Sequence, residues 1–167
     1  MKSREDDVTL TIRPAASTDV GDLGRLGALL VAVHHDFDAA RFIAPTPQTQ
    51  AGYGEFLAGQ LAQEDAVVLV AEEGGAIVGY TYAALEGNDW LTLRGPAGVI
   101  YDLMVDPEHR RRGLGRRLLS EAIAALERMG APQVQLSTAE RNATAQRLFA
   151  SLGFRPTMIE MTREVPG

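Results

Sequence analysis

The most informative stretch of this chain is Val105-Asp106-Pro107-Glu108-His109-Arg110-Arg111-Arg112-Gly113-Leu114-Gly115-Arg116-Arg117-Leu118-Leu119. A β-type run, residues 99–105, leads into it and an amphipathic helical pattern follows. The stretch therefore predicts a strand, a tight turn and a helix N-terminus. The positive end of a helix disfavours cations, so three consecutive arginines there indicate a bound anion. Glycine-turn and helix-end N–H groups can bind it. The alternative is a basic turn solvated by water.

The spacing of the glycines excludes two common phosphate sites. The dinucleotide fingerprint needs a third glycine where this chain has Leu118. The P-loop needs Gly-Lys followed by Ser or Thr, a sequence that the chain lacks. What remains is Arg-x-x-Gly-x-Gly over residues 110–115. In this form, and in its Val-Asp-Pro-Glu lead-in, the stretch resembles the acyl-CoA pyrophosphate loop of the GNAT superfamily of N-acetyltransferases.

A second motif carries the same resemblance. Residues 142–154 are Asn-Ala-Thr-Ala-Gln-Arg-Leu-Phe-Ala-Ser-Leu-Gly-Phe, similar to the family pattern Asn-x-x-Ala-x-x-x-Tyr-x-x-x-Gly-Phe. Two motifs in the right order are more specific than one. The resemblance implies a single N-acetyltransferase-like domain over residues 1–167. It also implies that acetyl-CoA is the co-substrate, attacked directly in a ternary complex by a primary amine of a small molecule, peptide or protein.

The resemblance further implies which residues hold acetyl-CoA. The end of the β-type run would pair its backbone with the pantetheine arm, and a backbone N–H near Met104 would meet the developing oxyanion. The turn would bind the pyrophosphate. Asn142 would reach the pantetheine arm, although it can also cap the last helix. The cofactor-binding residues implied in this way are Leu103, Met104, Val105, Arg110, Arg111, Arg112, Gly113, Leu114, Gly115, Arg116, Asn142 and Phe149.

The catalytic proton transfers depend on residues outside the two motifs. An alkylammonium group has a pKa of about 10.4, so a base must take its proton. Asp102, in the β-type run, is the candidate, with a structural hydrogen bond as the alternative. Many family members have a tyrosine donor where this chain has Phe149. Either water protonates the leaving thiolate or another tyrosine does so; we select Tyr101, with Tyr80 and Tyr82 as further candidates.

Hydrophobic periodicity predicts the element order βααβββαβαβ. The predicted strands cover residues 8–13, 66–71, 76–84, 99–105, 134–137 and 154–162, and the predicted helices end near residues 34, 61, 129 and 152. Residues 17–19 are expected to cap the first helix, and residues 87–98 to form a loop. The order matches what the resemblance implies, an α/β fold of the α+β type with a mixed, mostly antiparallel central sheet flanked by helices.

Composition restricts the class of protein. The chain has 167 residues and no cysteine, which fits one domain and excludes a disulfide framework, a thiol nucleophile and a cysteine zinc site. Residues 1–7 are charged and expected to be disordered, and no apolar run approaches the ~20 residues of a membrane span. We therefore expect a cytoplasmic protein without a membrane partner. The net charge of −6 argues against nucleic-acid binding. A homodimer is left open.

The segment after the first helix contains several polar residues. The family uses this region for acceptor recognition, whereas the alternative is a solvated loop without a metal site. The residues are His34, His35, Asp36 and Asp38. Asp36 and Asp38, together with Glu55 and Asp89, predict a preference for cationic amines such as polyamines, aminoglycosides or lysine. Molecules that carry a carboxylate beside the amine nitrogen are expected to be poorer acceptors. Two rival functions remain: a non-catalytic acyl-CoA sensor, and a phosphate-anchored interaction domain that binds no CoA.

Overall fold

The computed structural model describes residues 9–166. The strands in this part are β1 (Leu10–Pro14), β2 (Ala66–Glu73), β3 (Ala76–Glu86), β4 (Ala97–Val105) and β5 (Val134–Leu136). The α-helices are α1 (Val20–Phe37), α2 (Thr49–Gln60), α3 (Leu114–Arg128) and α4 (Ala143–Ser151). Short 3-10 helices, Ser17–Asp19 and Pro107–His109, precede α1 and α3. None of the helices between residues 9 and 166 has the length and apolar character of a membrane span.

The strands form one sheet in the order β1-β2-β3-β4-β5. The first three pairings are antiparallel and the β4–β5 pairing is parallel. Because parallel neighbours need a crossover connection, α3 lies between β4 and β5 in the chain. The β2–β3 turn has Gly74 (φ 59°) and Gly75 (φ 82°), the left-handed pair that a two-residue hairpin turn favours. The predicted mixed, mostly antiparallel sheet is thereby confirmed.

Helices cover both faces of the sheet. Along β2, Val68 and Val70 belong to the core cluster that contains Leu23 and Leu26 of α1 and Leu57 of α2. The alternate residues of β2 face the other way, into clusters built on α3 and α4. This alternation follows from the two-residue period of a strand. The sheet therefore separates an α1–α2 layer, which contacts the central strands, from an α3–α4 layer.

Glycines allow α1 and α2 to approach closely. A Cβ atom at Gly24 would lie 2.4 Å from the Gln50 carbonyl oxygen, and one at Gly27 would lie 2.1 Å from the Tyr53 ring. Gly21, one turn earlier, has open space around it. The close contact at Gly27 determines where Tyr53 can lie. Close packing of the two helices therefore requires glycine at positions 24 and 27 but not at position 21.

The predicted strand over residues 154–162 is wrong. Residues 154–166 have no regular secondary structure and are mostly exposed, including Met158 and Met161. Strand propensity produces a strand only where a sheet edge is available, and the neighbouring β5 is three residues long. The predicted loop over residues 87–98 extends too far at its C-terminal end, because Gly98 lies within β4. The expected disorder of residues 1–7 falls outside the described residues.

The expected cap of α1 is also wrong in detail. Asp19 makes no side-chain cap bond to α1. Its carboxylate accepts the Ala16 N–H (2.8 Å) and pairs with Arg13 (2.7 Å). It therefore stabilises the 3-10 helix before α1 and joins it to β1, because the arginine draws the carboxylate away from the helix end.

Candidate active site

The turn before α3 presents free backbone N–H groups. Arg111 (φ 63°) and Gly113 (φ 76°) both adopt the left-handed conformation, which is strained for the arginine. The Arg117 N–H makes an intrahelical bond to the Gly113 carbonyl, 3.1 Å long. The N–H groups of residues 114–116 therefore precede the hydrogen-bonded part of α3. Left-handed residues beside such groups form an anion site.

Three arginine side chains hold this turn against the rest of the protein. Arg110 Nε donates to the last carbonyl of β4 (3.2 Å), Arg112 pairs with Glu73 on β2, and the Arg116 guanidinium donates to a serine hydroxyl on α4. The Arg112 guanidinium lowers the pKa of the Glu73 carboxyl. These contacts fix the backbone of the turn, so less conformational entropy is lost when a ligand binds.

β4 and β5 separate beside the turn. They pair only over residues 98–100 of β4. A bulge follows at Tyr101, where the register against β3 shifts. Beyond the bulge, residues 101–105 have no strand neighbour on the β5 side within the described chain. A Cβ atom at Gly115 would lie 3.7 Å from Leu103, so the start of α3 packs directly against this gap.

The strand geometry indicates which backbone groups face the gap. Polar groups of alternate strand residues point to opposite edges. The Asp106 N–H donates to the Val78 carbonyl on β3 (2.8 Å), so the polar groups of Met104 also face β3. Those of Leu103 and Val105 face the gap. The expected oxyanion donor near Met104 is therefore better assigned to one of its two neighbours.

Asp102 lies on the opposite side of β4, at the bulge. Its side chain is 8% exposed, and its Oδ2 atom accepts hydrogen bonds from the Tyr53 hydroxyl (2.7 Å) and the Tyr80 hydroxyl (3.0 Å). Burial raises the pKa of Asp102, and the two phenol hydrogen bonds and the nearby His34 offset part of that increase. A carboxylate with a raised pKa is a stronger proton acceptor than an ordinary one.

A cavity of about 210 Å³ opens beside Asp102. It lies between α1, the segment that follows α1, α2 and the bulge of β4. Its walls are mostly apolar or aromatic, and Asp102 is its one carboxylate among the described residues. The lining residues are Leu30, Val31, His34, Phe42, Ile43, Tyr53, Tyr101 and Asp102.

Tyr101 lines this cavity and is 47% exposed. Its ring stacks on Tyr82, with 5.2 Å between centroids, and its hydroxyl donates to Glu86 Oε1 (2.7 Å). Burial, the Glu86 hydrogen bond and the Glu86 charge raise the pKa of Tyr101. The phenol is therefore a weaker acid than an ordinary tyrosine. Tyr80 and Tyr82 are buried, and their hydroxyls donate to Asp102 and to Gln60.

Asn142 and Phe149 both have structural contacts. Asn142 Oδ1 accepts the Ala145 N–H (3.1 Å), which confirms the predicted N-cap of α4 and leaves its amide NH₂ group for another partner. Phe149 is 9% exposed and packs in the core cluster with Ile100 and Leu119. Its ring thus fills the α3–α4 layer beside β4.

Of the polar residues predicted near the end of α1, only some line the cavity. His34 lines it, whereas Asp36 and Asp38 do not. Between residues 9 and 166, no three His, Cys, Asp or Glu side chains are placed to hold a metal ion. Tyr53, which holds Asp102, was missed by the sequence analysis. The one available signal was a phenol on the otherwise apolar face of α2, which does not reveal its partner.

The model of the acetyltransferase (GNAT) family matches residues 30–154 of this chain. A mycothiol acetyltransferase of Thermobispora bispora is 43% identical over 89 residues, which cover 51% of this chain and 28% of that protein. An L-methionine sulfoximine/L-methionine sulfone acetyltransferase of Salmonella typhimurium is 36% identical over 91 residues, which cover 54% of this chain and 51% of that protein. The chain thus spans about half or less of the length of these relatives.

A likeness of fold extends over nearly the whole chain. The crystal structure of the PaiA N-acetyltransferase of Thermoplasma acidophilum, in complex with coenzyme A, superposes with a TM-score of 0.74. The superposition covers 91% of this chain and 93% of that chain, at 16% sequence identity. At this identity the comparison supports the fold alone.

Proposed function

Because this chain belongs to the GNAT acetyltransferase family, we propose that it transfers the acetyl group of acetyl-CoA to a primary amine. The acceptor is an amine of a small molecule or a protein, and it attacks directly in a ternary complex. A cytoplasmic location and a homodimer stay predictions.

One observation carries the proposal: a strained, left-handed glycine turn at the N-terminus of α3 lies against a gap between two parallel strands. The turn offers N–H donors for a pyrophosphate, and the gap offers unpaired strand edges for an extended arm. A solvated basic turn would explain the arginines. It would not explain why the strand edges beside the turn are unpaired.

The residues present fit acetyl-CoA, which supplies the acetyl group as a thioester. The N–H groups of residues 114–116 would hold the pyrophosphate, with Arg111 and Arg110 adding positive charge. The gap-facing groups of Leu103 and the N–H of Val105 would pair with the pantetheine arm, as in strand addition, while the Val105 carbonyl accepts from Arg110. One of their N–H groups would stabilise the carbonyl oxygen as it gains negative charge. The free amide group of Asn142 would donate to the same arm.

Asp102 would handle the acceptor proton. Its carboxylate would bind the ammonium group and take one proton from it, a role that its raised pKa supports. The neutral amine that results then attacks the thioester carbonyl with its lone pair. The thiolate that leaves has a pKa of about 8.5, so solvent can protonate it without a strong acid. Tyr101 then serves as a wall of the acceptor site. Its phenol, bonded to Glu86, is a poor proton donor.

Substitution of Gly113 tests the proposal. Gly113→Glu places a side chain and a negative charge at the pyrophosphate position, and we expect it to weaken acetyl-CoA binding by at least about 2 kcal/mol, roughly 30-fold in Kd. Calorimetric titration with acetyl-CoA measures this. Gly130→Glu is the matched control, because Gly130 is also left-handed (φ 90°) but lies at the other end of α3. Unchanged binding in Gly113→Glu would contradict the proposal.

Turnover separates the enzyme from its rivals. We expect acetyl-CoA-dependent release of free thiol with at least one amine in a broad panel, and acetylated product by mass spectrometry. Binding of acetyl-CoA without turnover of any amine would favour the non-catalytic sensor. No binding of acetyl-CoA would favour the interaction domain.

A further inference from the structure

The cavity beside Asp102 combines one buried carboxylate with apolar walls. We infer that the acceptor is a small primary monoamine whose ammonium group is carried on an apolar, side-chain-sized body. This inference rests on the proposed function and deepens it, because it specifies the substrate class of the same site. It keeps the cationic amine that the acidic residues predicted, but it replaces the predicted polyamines, aminoglycosides and lysine by a monoamine.

The ammonium position follows from the contacts of Asp102. Both tyrosine hydroxyls donate to Oδ2, so Oδ1 remains for another donor, and Asp102 lines the cavity. An ammonium group offers three donors and the opposite charge. The rings of Tyr53 and Tyr101 line the same space, and aromatic faces attract cations. A single ammonium group can therefore contact a counter-ion and aromatic rings in the same cavity.

The rest of the cavity suits an uncharged group. Leu30, Val31, Phe42 and Ile43 form the apolar part of the lining, here called the apolar wall. No lysine or arginine is among the described residues that line the cavity, and His34 uses its Nδ1 atom on the Leu30 carbonyl (2.9 Å), so the carboxylate of an α-amino acid would lie beside Asp102 without an ammonium or guanidinium partner. The second ammonium of a short diamine would likewise have no second carboxylate. A charged group held against these apolar side chains without a partner loses part of its hydration, which disfavours its binding.

The apolar wall is held in place by its own contacts. His35 Nδ1 lies 3.1 Å from the Phe42 carbonyl, and the Arg41 guanidinium lies 4.9 Å from the centre of the Phe42 ring. Arg41 also pairs with Glu160, which offsets the positive charge of its guanidinium. His34 lies edge-on to Phe42, with 5.0 Å between ring centroids. These contacts hold Phe42 in place within the wall. An apolar group that enters the cavity, which has a volume of about 210 Å³, can therefore pack against it.

An acceptor panel tests the inference. 2-Phenylethylamine, 1,4-diaminobutane, phenylalanine and an aminoglycoside are compared by kcat/KM from thiol release at saturating acetyl-CoA. We expect 2-phenylethylamine to exceed each of the others by at least about tenfold, since unpaired charge in an apolar pocket is rejected more strongly than a size difference. A higher kcat/KM for the diamine, the amino acid or the aminoglycoside would overturn the inference and leave the proposed function standing.

A charge on the apolar wall provides the second test. Ile43 is 75% exposed, so Ile43→Glu should fold, and it adds a second carboxylate to the cavity lining. We expect the preference for 2-phenylethylamine over 1,4-diaminobutane to fall by at least about tenfold. Leu91→Glu, at a residue that is 96% exposed and outside the cavity lining, is the control and should keep the wild-type preference. An unchanged preference in Ile43→Glu would place the acceptor elsewhere.

Direct binding separates failure of the inference from failure of the proposed function. Calorimetric titration of 2-phenylethylamine is done with CoA present, in the wild type and in Asp102→Asn. Binding that Asp102→Asn weakens at least about tenfold supports the cavity even if no amine is turned over. Absence of binding, together with turnover of some other amine, would overturn the inference alone.

Discussion

At the scale of single residues, Asp102 is a buried carboxylate that stability alone does not favour. We expect Asp102→Asn to lower kcat/KM by about 10²–10⁴-fold, the usual contribution of a general base. The free energy of unfolding at pH 7 should be unchanged or higher. The variant removes a buried charge, and the Asn carbonyl can still accept from Tyr53 and Tyr80. Steady-state kinetics and urea denaturation measure the two effects.

The pH dependence of stability provides the control for Asp102. Because the pKa of Asp102 is raised in the folded state, the wild type gains stability relative to Asp102→Asn as pH falls through the folded pKa. Asp19 has the opposite sign, since Arg13 lowers its pKa. Asp19→Asn should therefore cost stability at pH 7, a difference that disappears as pH falls through the folded pKa of Asp19. A large loss of stability in Asp102→Asn at pH 7 would instead indicate a structural role.

Tyr101 is the second residue whose role can be tested alone. We expect Tyr101→Phe to lower kcat by less than about tenfold, because a phenol with a raised pKa is a poor donor to a thiolate that solvent can protonate. Phe149→Tyr, which adds the hydroxyl usual in the family, should keep or raise the rate. Both are compared by kcat with folding checked by circular dichroism. A larger loss in a folded Tyr101→Phe protein would identify Tyr101 as the proton donor.

At the scale of elements, the α1–α2 contact places Tyr53 against Asp102. Gly24→Ala should lower the free energy of unfolding by about 1–3 kcal/mol, because its Cβ would meet a backbone carbonyl 2.4 Å away. Gly21→Ala, in open space on the same helix, should raise it by up to about 1 kcal/mol through helix propensity. Equal effects at the two positions would argue against close packing.

Gly27 connects this packing to activity. A Cβ atom there would displace the Tyr53 ring, so Gly27→Ala should lower kcat/KM for the amine while the Kd for acetyl-CoA stays within about twofold. The turn before α3, to which the proposed function assigns acetyl-CoA, lies on the other side of the sheet. A parallel loss of acetyl-CoA binding would indicate general unfolding, which the urea midpoint would also report.

Local sequence predicted the elements whose partners are adjacent in the chain. The β2–β3 hairpin and the turn before α3 could be predicted because apolar periodicity and glycine positions determine them within a few residues. The segment after Gly153 has equally good strand residues. It forms no strand because pairing depends on a sheet edge elsewhere, and periodicity carries no information about that edge.

The two halves of the candidate site also differ in how far the sequence could predict them. The turn before α3, residues 110–115, is one continuous stretch of the chain, so its residues could be named from the sequence. The acceptor cavity joins side chains from α1, α2 and β4, and Tyr53 meets Asp102 across 49 positions of sequence. His34, which the sequence analysis assigned to the acceptor region, lines the proposed acceptor cavity. The contribution of its neighbours, Phe42 and Ile43, depends on how the segment after α1 folds back.

At the scale of the whole molecule, the charges of the two substrates are opposite. Acetyl-CoA is an anion, and the proposed function assigns it to a local cluster of arginines, whereas the chain carries a net charge of −6 that attracts ammonium groups. Asp36 and Glu55 are exposed on the helices whose residues line the cavity, while Glu121 and Glu127 are exposed on α3, across the sheet. These two pairs allow the field near the cavity to be separated from the net charge.

Salt should therefore reduce capture of the amine, and the reduction should depend on acids near the cavity. We expect kcat/KM for a cationic amine to fall about threefold between roughly 0.05 M and 0.5 M NaCl, because the screening length shortens to a few ångströms. Asp36→Asn with Glu55→Gln should remove most of that salt dependence. Glu121→Gln with Glu127→Gln removes the same charge from the far face and should leave it. Equal effects of the two double variants would mean that net charge alone attracts the amine. Absence of a salt effect in the wild type would mean that electrostatic attraction does not contribute to capture of the amine.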